Sequence, residues 1–167
     1  MQTDELISIR EYLHTSYDPD CDYVDGVVLE RNVGEQDRSA LQMAIAAYFH
    51  RRRRDWGIHV YPEQRVQVSA TRFRVPDVCV VVGGKPPEQI FTTPPCICIE
   101  VLSPEDRLAA MQERVGDYLL MGVPYVFIIN PRNRKAYRAT MQGMLEVPEL
   151  RTENPEMVVP LDELFED

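Results

Sequence analysis

Between Pro124 and Asn130 the residues Tyr125-Val126-Phe127-Ile128-Ile129 form an unbroken apolar run with no polar side to turn toward water. A half-exposed strand alternates, so a continuous run of this length suits a strand at the centre of a sheet with cover on both faces. The rest of the chain must supply that cover. Just upstream, Cys96 to Leu102 is a second apolar strand pattern, and Leu108, Met111, Val115 and Tyr118 between the two runs recur at helical spacing. Ser103-Pro104-Glu105-Asp106 carries a capping residue, a proline suited to a first helical turn and an acid three positions on, and predicts that the helix opens at Ser103. Gly122 ends it.

The remaining pattern fits the same architecture. Ile9, Tyr12 and Leu13 suit a short helix, broken by Asp18-Pro19-Asp20. Asp22-Tyr23-Val24-Asp25-Gly26-Val27-Val28-Leu29-Glu30 reads as a hairpin closed by Asp-Gly. Leu41, Ile45, Tyr48 and Phe49 place a helix over Asp37 to Arg54, stopped by Gly57. Strand-like runs follow at His59 to Ser69 and Phe73 to Val82, and a proline-rich loop spans Gly83 to Pro95. Arg134 to Thr140 reads as a return strand, and Met157 to Leu161 as one more apolar run. The expectation is an α/β fold, a mixed central sheet flanked by helices.

With 167 residues, 44% of them hydrophobic, the chain supports one core, and we read residues 1–167 as a single domain with an acidic C-terminal tail over about 146–167. No stretch approaches the roughly 20 apolar residues of a membrane helix, and Met1-Gln2-Thr3-Asp4-Glu5 lacks a basic signal-peptide start. Cys21, Cys79, Cys96 and Cys98 form no C-x-x-C pair, and three lie in apolar runs. A reduced cytoplasmic protein without membrane contact is expected. The net charge of -9 argues at first against a nucleic-acid partner, yet eight acids against the one base Arg151 fall between Glu146 and Asp167, which leaves residues 1–145 near neutrality. The bases are 16 Arg and only Lys85 and Lys135.

Asp77 and Glu100 stand out because each sits in an apolar strand run, where a carboxylate is costly unless paired, protonated or bound to a cation. On neighbouring strands they could meet and hold Mg2+. The alternative is a structural one, with either acid at a strand end facing solvent or paired with an arginine such as Arg65 or Arg74.

Tyr23-Val24-Asp25-Gly26, Arg74-Val75-Pro76-Asp77, Ile99-Glu100-Val101-Leu102-Ser103-Pro104-Glu105-Asp106, Tyr118, Gly122-Val123 and Asn130-Pro131 occur in an order that resembles the Uma-two family of restriction-endonuclease-like proteins, within the PD-(D/E)XK nuclease superfamily. The resemblance runs over nearly the whole chain. It implies a restriction-endonuclease-like fold and a Mg2+- or Mn2+-dependent endonuclease that hydrolyses DNA. Asp77 and Glu100 take the metal-ligand roles, the carbonyl of Val101 is a third ligand, and Asp22 matches an acidic position, commonly Glu, that helps complete the site.

The catalytic lysine of the pattern is missing. Its usual position, two residues after the acid, is Leu102. The alternative position on the following helix, four residues before a tyrosine, is Arg114. Arginine cannot act as a base but orients water or stabilises phosphate charge; the plain alternative for Arg114 is pairing with Glu113 or Asp117. Arg38 stands where the family commonly has His. Arg51 to Arg54 read as a charged helix end before a phosphate contact, and Phe91 as core or a base-stacking residue. A catalytically degenerate binding or regulatory module is the competing expectation. A homodimer is expected, with Val158, Val159, Leu161 and Phe165 offering apolar surface.

Overall fold

The computed structural model describes residues 5–165; the start of the N-terminal segment read above, Met1 to Asp4, and the acids Glu166 and Asp167 lie outside the described residues. Twelve strands build three sheets among these residues. The largest has the order β10-β9-β8-β7-β6-β3 and contains β3 (Ile58–Pro62), β6 (Val78–Val82), β7 (Ile97–Val101), β8 (Tyr125–Asn130), β9 (Lys135–Thr140) and β10 (Gly143–Val147). β7 and β8 are parallel, as a strand-helix-strand crossover requires, and every other pair is antiparallel.

Side-chain alternation along these strands divides two cores. Ile97, Ile99, Val101, Phe127 and Ile129 face Leu41, Ile45 and Phe49 of α2 (Gln36–Arg51). Cys98, Val126 and Ile128 face Met111, Val115 and Tyr118 of α4 (Leu108–Met121). The double cover explains why β8 could be apolar throughout, since each successive side chain enters a different core. Glu100 shares the α4 face with Cys98, the one residue of β7 on that face that is charged.

A second sheet, β2-β1-β5-β4, comprises β1 (Asp22–Val24), β2 (Val27–Leu29), β4 (Val66–Ser69) and β5 (Arg72–Arg74). The β1-β2 turn is Asp25-Gly26 with both residues at positive φ, 49° and 97°, the backbone that makes Asp-Gly favourable there. α1 (Ile9–Leu13) sets Tyr12 against Tyr23 and Phe73 of this sheet.

Several elements differ from the pattern reading. The run His59 to Ser69 is two strands in two sheets, divided where Glu63 adopts φ 49°. Phe73 to Val82 likewise divides at Val75-Pro76-Asp77, because proline cannot donate to a ladder. The capping-box segment forms a turn ahead of the helix: Asp106 Oδ2 accepts from Ser103 N–H at 2.7 Å, and α4 starts at Leu108 with Arg107 as its N-cap. The helix read over Asp37 to Arg54 breaks at Arg52 into α2 and α3 (Arg53–Trp56), and Gly57 closes it in the left-handed conformation.

The acidic C-terminal segment is packed. β11 (Glu149–Thr152) pairs with β12 (Met157–Pro160), a 3-10 turn follows at Leu161–Leu164, and Leu150, Met157, Val159 and Leu164 belong to the α2-side core. Leu161 and Phe165 pack against it. Val159, 1% exposed, therefore offers no free apolar surface, and the dimer contact expected from this segment is largely internal. No helix among the described residues is long and apolar enough to cross a membrane.

Candidate active site

Asp77 immediately precedes β6, whose first residue Val78 pairs with Ile99; one step further, Asp77 comes beside Glu100. The Val101 N–H donates to Asp77 Oδ2 at 2.7 Å, so the two strand ends are tied through the site itself. Asp77 Oδ1 accepts from Arg31 Nη2 at 2.7 Å and from Arg38 Nη2. Its main-chain oxygen accepts from Gln42 Nε2 of α2 at 3.0 Å. Glu100 Oε1 accepts from the Tyr118 hydroxyl at 2.6 Å, and Oε2 from Arg114 Nη1 at 3.3 Å. Arg114 and Tyr118 are four apart on α4, hence on one face of it, which is how a single helix places both on one carboxylate.

Asp22 enters from the other sheet. Its Oδ1 accepts from Val75 N–H at 3.1 Å and its Oδ2 from Arg74 Nη1 at 3.2 Å, while Arg114 Nε lies 3.5 Å from Oδ2. Arg114 thus bridges Asp22 and Glu100, in place of the alternative pairing with Glu113 or Asp117. Asp117 instead accepts from Arg74 Nε at 2.8 Å and Arg72 Nη1 at 3.0 Å. Arg65 holds Asp20, away from the acids, and Arg74 reaches Asp22 but neither Asp77 nor Glu100. Phe91 is 4% exposed with its ring edge on Tyr61, a core position that presents no face to a base. Arg52 lies 3.5 Å over the Tyr48 ring and Arg53 caps His50, as expected of a charged helix end.

The three acids are almost sealed: Asp22, Asp77 and Glu100 are 2%, 0% and 1% exposed. Burial pushes the Glu100 carboxyl up to about 8; Arg114 opposes the rise and the negative charge of Asp77 adds to it. Burial also raises Asp22, against the pull of Arg114 and Arg74. Burial lowers Arg31 on its own, but Asp77, Glu100 and Asp22 raise it overall, and Arg114 is raised in the same way by Glu100 and Asp22. Tyr118 is raised by burial and by Glu100, so it stays protonated and donates.

Arg31 and Gln42 escaped the sequence reading, and Asp117, there an alternative partner for Arg114, instead holds Arg72 and Arg74. Arg31 follows the second strand of the hairpin in an exposed-looking segment, and nothing in its spacing points at Asp77, 46 residues away. Arg74 is different, since it stands beside the Pro76-Asp77 signal in a strand where an apolar residue would be expected.

The donors suit a hard divalent cation in kind. Two carboxylates meet at one sheet position, where the Val101 backbone bonds Asp77, and Mg2+ needs few protein oxygens because it retains waters. No group of three or more His, Cys, Asp or Glu side chains among the described residues is arranged to hold an ion. Guanidinium groups neutralise the acids here, with an excess of donors: Arg38 Nε, Arg74 Nη2 and Arg114 Nε are buried without a hydrogen-bond acceptor. Two of these atoms still lie within ion-pair distance of an acid, Arg114 Nε at 3.5 Å from Asp22 Oδ2 and Arg74 Nη2 at 3.8 Å from Glu113 Oε1.

Residues 9–166 match the family described as "Uma2: Putative restriction endonuclease". The fold matches a crystal structure of "a putative nuclease" from Anabaena variabilis with a TM-score of 0.81, over 95% of this chain and 97% of that one, at 19% identity. At that identity the likeness establishes a shared fold. No curated protein matches the chain. The match that carries the assignment is the family one, which takes in Asp22, Asp77, Glu100 and Arg114 together: the chain belongs to the Uma2 family of restriction-endonuclease-like proteins.

Proposed function

We propose that this protein is an endonuclease that hydrolyses DNA phosphodiester bonds with Mg2+ or Mn2+ held by Asp77, Glu100 and the Val101 carbonyl, acting in the cytoplasm as a homodimer. The observation that carries the proposal is the convergence of two sealed carboxylates from adjacent strands in a chain of this family. Such a cation lowers the pKa of a water and offsets charge at a phosphate.

The arginines have a place in this reading. Arg31, Arg38 and Arg114 now act as counter-ions to Asp77 and Glu100. Relieved of that duty, a guanidinium offers a planar pair of donors to phosphate oxygens, and Arg114, between Glu100 and Asp22, is best placed to do so. It remains protonated throughout, so its role is to orient and to stabilise charge, and Tyr118 keeps Glu100 aimed through the 2.6 Å hydrogen bond.

A second reading is favoured by a specific observation. Every oxygen of Asp22, Asp77 and Glu100 already has a partner and the acids lack an open face, as in a degenerate binding module that keeps the fold for structural reasons. Cleavage of supercoiled and single-stranded DNA with Mn2+ separates the two. An enzyme loses about 2 to 4 kcal/mol of transition-state stabilisation in Arg114→Ala. A relic gives no cleavage in wild type; and if Arg114→Lys is also silent, the nuclease reading is wrong.

A further inference from the structure

β10, the last strand of the six-stranded sheet, pairs with β9 from Gly143 opposite Thr140 to Val147 opposite Ala136 and has no other strand neighbour among the described residues. Soluble proteins guard such edges with charge, proline, a bulge or a covering element, because a row of free N–H and C=O groups is a template for another strand. β10 has none of these guards in working form. It contains no proline and its register is unbroken, and its one charged side chain, Glu146, is partly neutralised by Lys135 at 3.6 Å.

Each of its faces also exposes large apolar side chains. Leu145 is 70% exposed, Met144 44% and Met141, in the preceding turn, 67%. Met144 borders a groove of 440 Å3 with Leu108, Met111 and Tyr137 on the α4 side of the sheet. Leu145 and Val147 border one of 410 Å3 on the opposite side, where Tyr125 and Phe127 form an apolar floor rimmed by Arg138, Glu149, Arg151 and Glu153. A strand laid along this edge would therefore gain backbone hydrogen bonds and apolar contacts above and below the sheet.

We propose that the occupant of this edge is β10 of a second copy of the chain, antiparallel across a two-fold axis, so that two six-stranded sheets become one. The strand is self-complementary in this arrangement. An antiparallel edge meets its own two-fold mate with donors opposite acceptors. Centring the axis on Leu145 sets Glu146 against Met144 of the second copy, and no like charges face each other. Each copy carries a net charge of -9, so long-range repulsion opposes the pairing and salt screens it. Association should tighten as ionic strength rises, the reverse of a pairing held by salt bridges. The inference rests on the dimer named above and not on catalysis, so an inactive protein would leave it intact.

Sedimentation of the full chain over about 1 to 100 μM should report a monomer-dimer equilibrium that tightens with salt. Leu145→Lys, which places like charges across the axis, should weaken it at least about tenfold, with the melting temperature unchanged at concentrations where both proteins are monomeric, because the side chain is exposed in the monomer. Leu145→Cys supplies an independent measurement. Directly opposed residues of an antiparallel pair lie within disulfide reach, so oxidation with diamide should link Leu145→Cys dimers covalently, while Leu120→Cys, on exposed α4 surface, dimerises through the same edge without cross-linking. A wild type that is monomeric at the highest concentration, a Leu145→Lys dimer as tight as wild type, or cross-linking no better at 145 than at 120 would each overturn the proposal.

Discussion

A single glutamate shows how this site is poised. Glu100 lies on the α4 face of β7, wholly buried, with its carboxyl raised to about 8 by burial and by the neighbouring Asp77. In the unfolded chain it titrates in the ordinary glutamate range near 4.5. At pH below that range both states bind the proton and the folded state is not penalised. As pH climbs from about 4.5 to about 8 the unfolded chain gives up its proton first, and stability falls with a slope approaching about 1.4 kcal/mol per pH unit. Chemical denaturation across that interval should record the decline, and Glu100→Gln should flatten it; an identical slope in the variant would mean the carboxyl is ionised in the folded protein. The same residue was conspicuous in the sequence, because an acid inside Cys-Ile-Cys-Ile-Glu-Val-Leu has no solvent side to turn to. Arg31 was not, because a long-range ion pair leaves no periodic trace.

At the scale of elements, α4 meets the second sheet in two ways, packing Met111, Val115 and Tyr118 with Val66 and Val68 of β4 and pairing by charge with β5. Asp117 accepts from both Arg72 and Arg74 of β5, and Arg74 in turn holds Asp22 at the head of β1, so one helix residue governs where the hairpin acid sits. Removing it leaves Arg74, 3% exposed, short of its closest partner. Asp117→Ala should cost about 3 to 5 kcal/mol in urea unfolding, the range for breaking a buried pair, whereas Asp117→Asn, which keeps an acceptor, should cost less. Equal losses would show that charge is not what matters there. Elements with strong local chemistry were read well from the chain: the Asp-Gly hairpin, α2, the double-covered β8 and the glycine stop at Gly122. The start of α4 was misplaced, since Ser103 and Asp106 satisfy the same capping hydrogen bonds in a free-standing turn. The division of β3 from β4 was missed because both halves alternate correctly, and the sheet to which a strand belongs is decided by tertiary contacts.

For the molecule as a whole, the C-terminal segment carries the clearest correction. Its acids read as a tail, yet Leu150 of β11 and Met157 and Val159 of β12 enter the core beneath α2, with Leu150 2% and Met157 1% exposed. Truncation at Val147 should therefore remove the cooperative unfolding transition and the near-ultraviolet signal; a truncated chain that melts like wild type would return the segment to the status of an appendage. Composition missed this because eight acids dominate the count while four apolar residues do the packing. The restriction-endonuclease-like fold, by contrast, was legible through the order of short motifs along the chain. What that order could not convey is that four arginines surround the acids, or how completely the acids are enclosed.

Mn2+-dependent thermal stabilisation tests most directly whether Asp77 and Glu100 form a cation site. At a hundredfold excess over its dissociation constant, bound Mn2+ adds about 2.7 kcal/mol, roughly 5 to 10 °C for a chain of this size. Wild type should rise by that amount at millimolar Mn2+, and Asp77→Asn and Glu100→Gln, folded in its absence, should not. A wild type whose melting temperature is indifferent to Mn2+, or variants that respond as fully as wild type does, would contradict the account.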